Sequence, residues 1–119
     1  MQSSDEFNNL LLRVIDETLR YTLGDTNTHI IFDYIEKRYC PFSEVLTNLQ
    51  ILSEALRDLL GSGRGQILGA APILERTIAE TFCHKLGMEF DKGEFTVFAN
   101  YIEKLRKVCG NGEVMMLEQ

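Results

Sequence analysis

Apolar residues recur along this chain at intervals of three and four, with polar residues between them, which is the period of helices that bury one face. Near the start, Phe7, Leu11, Val14 and Thr18 share one stripe, and Leu12, Ile15, Leu19 and Leu23 share the next. A first helix with a wide, largely buried face is predicted. Ser3 and Glu6 have the spacing of a capping box, and Gly24 suits the residue that closes a helix. Asp25–Thr28 offer caps for a second helix from about His29 to Arg38, burying Ile31, Tyr34 and Ile35. Cys40-Pro41 ends it, because the residue before a proline avoids helical geometry, and Ser43 opens a short turn. Asn48 caps a third helix in which Leu49, Leu52, Leu56 and Leu59 form a stripe.

The run Gly61-Ser62-Gly63-Arg64-Gly65 breaks this pattern and reads as a connection between helices. Beyond it, Ile67, Ala71, Leu74, Ile78 and Phe82 lie on one face, with Ala79, Cys83 and Leu86 beside them. Glu75 falls on that second stripe and is expected at its edge, snorkelling to water. Pro72 is tolerated in a first turn, so a short helix to about Ala70 and a main helix from Pro72 to Gly87 are predicted. Lys92-Gly93 is a turn. A last helix is predicted from about Glu94 to Val108, with Phe95, Phe98, Ile102, Leu105 and Cys109 near heptad spacing. The pattern therefore predicts an all-α fold, a compact single-domain bundle of about five helices over residues 1–109, with a flexible tail at 110–119. A chain of 119 residues is long enough for one such core without disulfide or metal staples.

Composition narrows the function classes. A net charge of −6 counts against binding to nucleic acid, whose recognition needs a basic surface, and equally against binding to an anionic membrane. No stretch approaches the roughly 20 apolar residues of a membrane span. Asp5 and Glu6 stand where a secretory signal carries positive charge, and the three cysteines are an odd count without close pairing. A cytoplasmic location is the expectation.

One ordered set of segments has a counterpart elsewhere. Phe32-Asp33-Tyr34-Ile35-Glu36-Lys37-Arg38-Tyr39 is followed by Glu54-Ala55-Leu56, Leu60-Gly61-Ser62-Gly63 and Lys85-Leu86-Gly87-Met88-Glu89-Phe90. This order resembles a family of short archaeal proteins and domains, the Nitrosopumilus-type signalling output domain, over roughly residues 29 to 105. The resemblance implies a small helical module in signalling or regulation and carries over no catalytic residue.

Candidate chemistry is sparse. Gly61–Gly65 ahead of a helix would offer amides to an anion, with Ser62 and Arg64 as its side-chain members. It lacks the Gly-Lys-Ser/Thr ending of a phosphate-binding loop, so a plain connection is favoured. Cys83-His84 pairs two metal-ligand types, but neighbours on a helix do not share a face. A buried cysteine beside an exposed histidine is the better account. No metal or cofactor is expected. Phe95, Phe98 and Tyr101 are read as core aromatics. The acidic residues Asp16, Glu17, Glu54 and Asp58 are read as a solvated face.

These readings favour a non-enzymatic regulatory or protein-interaction module. The alternative is a small-molecule sensor, binding between the main and last helices or at Ser62 and Arg64. A homodimer is also expected. Leu10, Leu12 and Leu19, then Val97, Tyr101 and Val108, widen the apolar faces of the first and last helices. The tail residues Val114, Met115, Met116 and Leu117 add an interaction surface.

Overall fold

The computed structural model describes residues 4–61, 63–64, 67–68 and 70–110. They form the all-α bundle the periodicity predicts. Its helices are α1 (Ser4–Leu23), α2 (Asp25–Arg38), α3 (Leu49–Leu60), α4 (Ala70–Leu86) and α5 (Phe98–Gly110), with a 3-10 segment at Phe42–Thr47. The predicted cap at Ser3, the candidate Ser62 and the tail residues Val114, Met115, Met116 and Leu117 lie outside the described residues. No helix among those described is long and apolar enough to cross a membrane.

Both stripes of α1 face inward. Phe7, Leu11, Val14, Ile15, Thr18 and Leu19 are buried, while Leu12 and Leu23 border the core. The helix ends at Gly24, whose φ of 89° and ψ of 164° suit a residue without a Cβ. The Gly24 amide still donates to the Arg20 carbonyl (2.9 Å). The chain reverses at this one residue, and α2 begins at once. Asp25–Thr28 are thus the first turn of α2 rather than caps ahead of it. Thr28, fully buried, explains the difference: its amide and its hydroxyl both donate to the Gly24 carbonyl, at 3.1 and 2.8 Å.

Pro41 stops α2 as expected. Tyr39 and Cys40 close it by donating to the Ile35 carbonyl at 2.8 and 3.1 Å. In α3, Leu49, Leu52 and Leu56 are buried, but Leu59 is 37% exposed near the helix end. The connection after Gly61 differs from its prediction. Instead of a short helix to Ala70, Gly63–Arg64 pairs antiparallel with Ile67–Leu68, and α4 starts at Ala70 with Pro72 in its first turn. Glycine costs a helix interior about 1 kcal/mol per residue relative to alanine, so a glycine-rich stretch is better accommodated in a turn. The Ala71 amide then donates to the Gly61 carbonyl (3.2 Å), which closes the excursion at its base.

Gly87 ends α4 with φ 79°. The Gly87 amide donates to His84 and the Met88 amide to Cys83, at 3.1 and 2.9 Å, the paired bonds of a Schellman closure. The last helix starts four residues later than predicted. Asp91 accounts for the delay. Its side-chain Oδ1 accepts the amides of Gly93 (3.0 Å) and Glu94 (3.3 Å), and its carbonyl accepts those of Glu94 and Phe95. These amides are drawn into a turn instead of opening a helix.

In the core, α1 packs on α2 and α4, while α3 packs on α2, α4 and α5. The rings of Phe7 and Phe82 meet edge to face at 5.0 Å. Arg106 fastens α5 to the rest. It donates to Asn8 Oδ1 (2.6 Å) and to the Leu46 carbonyl (3.1 Å), and its guanidinium lies 4.6 Å from the Phe7 ring centroid. The apolar surplus of α1 and the last helix is absorbed only in part, with Leu10, Leu12 and Val108 half-buried. Leu19 and Tyr101 are buried, whereas Val97 is 43% exposed.

Candidate functional site

The α1–α2 hairpin leaves an open cleft along its outer side. Asn9, Leu12, Arg13 and Asp16 of α1 line it, at the i, i+3, i+4, i+7 spacing of one helix face, and Phe32 of α2 closes it from across the hairpin. Its volume is about 500 Å³. Leu12 and Phe32 are half-buried and rest on the core, so the floor is apolar. The rim is polar. Asp16 accepts from Arg20 Nε at 2.9 Å, and the same guanidinium reaches Asp25 at 3.1 Å. Arg13 is exposed and has no ion pair among the described residues.

Sequence reasoning placed Leu12 on an apolar stripe and Asp16 on a solvated face; it did not join them. The four α1 positions carry helical spacing, but mixed polarity hides it, and Phe32 comes from a second helix. Only the hairpin angle makes the cleft.

The predicted ligand positions fare differently. Arg64 is described in its backbone, where it lies opposite Ile67 in the two-residue ladder. Ile78 and Phe82 of α4 and Phe98, Ile102 and Leu105 of α5 are all buried. The cleft between α1 and α2 was not among the predicted ligand positions.

Cys83 and His84 separate as their adjacency implies: Cys83 is fully buried and His84 is exposed. Burial pushes the Cys83 thiol above its ordinary pKa, opposed by its contact with the Tyr101 hydroxyl at 3.7 Å. A thiol held protonated in this way is a poor nucleophile. Cys109 is raised by burial as well. All three cysteines are free thiols. Among the described residues no three His, Cys, Asp or Glu side chains are grouped to hold a metal ion.

Glu75 corrects its prediction. It does not snorkel at an edge; it is 4% exposed and takes two hydrogen bonds from Arg57, at 3.1 and 3.2 Å. Its partner stands 18 residues earlier on α3, a separation that no local spacing reveals.

The aromatic residues of the last segment form a cluster. Phe90, Phe95 and Tyr101 have centroids 5.4 to 5.5 Å apart, and the Tyr101 hydroxyl accepts the Asp91 amide at 3.0 Å. Burial raises the Tyr101 phenol. The cluster seals the loop onto the core, in keeping with core aromatics. On the opposite helices, the hydroxyls of Tyr34 and Tyr39 both donate to Asp58, at 3.0 and 3.3 Å.

No protein-family model, curated protein or solved structure matches the chain.

Proposed function

We propose that this chain is a non-enzymatic regulatory module that binds another protein through the α1–α2 cleft, in signalling of the archaeal kind its sequence resemblance implies. The observation that carries this reading is the cleft itself. It has an apolar floor of Leu12 and Phe32 and a polar rim at Asn9, Arg13 and Asp16. Interaction surfaces combine an apolar centre with a polar surround in this way. The reactive side chains support the non-enzymatic part. Cys83 is buried with its proton retained, and Glu75 is occupied by Arg57. An acidic chain also fits a protein partner better than a nucleic acid.

The test is a photo-reactive residue introduced at Asn9, with Lys85 on α4 as the comparison position. A partner protein cross-linked from Asn9 and lost on Leu12→Asp is the expected result. A chain that captures no partner at native expression and turns over a metabolite overturns the reading.

The size of the cleft favours one rival. About 500 Å³ falls within the range of small-molecule pockets. A sensor would gain about 2.7 kcal/mol of stability at a ligand concentration 100 times its dissociation constant. A thermal-shift screen of metabolites that moves the wild-type chain but not Phe32→Ala would favour the sensor over the protein-binding module.

A further inference from the structure

We infer that the cleft selects an acidic amphipathic helix of the partner protein, which sets an apolar side chain on Leu12 and Phe32 and a carboxylate, one turn away, on Arg13. This rests on the cleft being the binding surface and names what that surface recognises.

The polar groups of the lining divide into one that is held and two that are free. Asp16 is its one acid, and Asp16 Oδ1 already accepts from Arg20 Nε at 2.9 Å. Asn9 and Arg13 are exposed, and neither side chain has a hydrogen bond or ion pair among the described residues. Glu17, one turn beyond Arg13, is not bonded to it either. Asn9 and Arg13 stand four residues apart, so they lie one above the other on the face of α1 that carries Leu12. The cleft therefore offers an unpaired guanidinium and an unused amide beside an apolar floor. A carboxylate can accept from both, whereas an ammonium would meet like charge. The net charge of −6 opposes attraction of an acid from a distance, so the selection acts at contact. Shape decides the rest. The lining from Asn9 to Asp16 covers about 10 Å of α1 by helical rise, two turns of helix. Both walls are helices, whose backbone bonds are internal, so an extended peptide would find no sheet edge to pair with. A helix brings its own backbone bonds and inserts its apolar ridge between the walls, with its carboxylate one turn along.

A displayed library of random helical peptides, selected on the full chain, tests the inference. Peptides whose binding is lost on Leu12→Asp are the cleft binders. The expected result is that they carry Asp or Glu one turn from an apolar anchor. Arg13→Glu should weaken them by about tenfold, and exchanging the peptide's acid for Lys should restore binding to that variant. The restoration also shows that Arg13→Glu still folds. Cleft binders without an acid overturn the inference, as does equal affinity for the wild-type chain and Arg13→Glu. A library that yields no cleft binder overturns it too. Decanoate supplies the same chemistry as a free acid. If it raises the melting temperature of the wild-type chain but not of Leu12→Asp, and no peptide binds the cleft, the helix is rejected in favour of a small ligand. Partner capture from Asn9 is read separately. Capture undiminished by Arg13→Glu leaves the protein-binding role standing and rejects the acidic helix.

Discussion

Arg57 and Glu75 form a two-bonded ion pair between α3 and α4, with the carboxylate enclosed and the guanidinium partly in water. The asymmetry sets the energetics. The carboxylate has given up its hydration and depends on the arginine, while the arginine side chain is 44% exposed and stays partly solvated. Truncating Arg57 to Ala should therefore lower stability by about 2 kcal/mol, less than the loss of a wholly buried partner. Replacing both groups, as Arg57→Met with Glu75→Leu, should cost less than Arg57→Ala alone. Urea unfolding of the three variants checks the order.

Tyr101 joins the loop after α4 to the helix that follows it. Tyr101→Phe keeps the ring stack with Phe90 and Phe95 but removes the acceptor of the Asp91 amide. The expected loss is about 1 kcal/mol. Hydrogen exchange should quicken at Asp91 far more than at Ile78 in the middle of α4.

The thiols make stability fall in alkali. In the folded chain, burial raises Cys83 and Cys109 above the ordinary thiol value of 9.0. The unfolded chain then releases protons that the folded chain retains, so the unfolded state binds fewer protons in that window. Stability keeps its full value below pH 9.0 and declines as pH rises from there towards the raised folded values. Urea midpoints between neutral pH and pH 10 should show the decline, and Cys83→Ala with Cys109→Ala should flatten it. Iodoacetamide at neutral pH should label half-buried Cys40 before either buried thiol, as mass spectrometry of the peptides would reveal.

Gly24 is a conformational requirement rather than a packing one. No atom lies within 4 Å of a Cβ built there, yet its φ is +89°. Gly24→Ala should cost about 2 kcal/mol through backbone strain alone. Asp25→Ala, which removes an exposed partner of Arg20, should cost less than about 1 kcal/mol. Thermal unfolding of the two variants should separate them.

Local chemistry in the sequence determined the helices and most of their ends. The stripes Phe7-Leu11-Val14 and Leu74-Ile78-Phe82 declare their buried faces because helical spacing brings such residues to one side whatever they meet. Gly24, Pro41, Gly61 and Gly87 declare the breaks because their backbone preferences act within one or two residues. Signals of equal strength within one turn were harder to rank: Asp91 took amides that the periodicity of Phe95 and Phe98 had assigned to a helix, and Ile67–Leu68 paired with Gly63–Arg64 in a ladder instead of joining a helix. Only the tertiary structure decided what the polar residues on those faces do. Glu75 differs from a snorkelling carboxylate because α3 brings Arg57 against it, and Leu12 differs from a core leucine because α2 leaves one side of it open, with Phe32 across the gap. Both outcomes depend on the angle and register between helices, which sum many weak contacts distant in sequence, and no single residue's spacing encodes them.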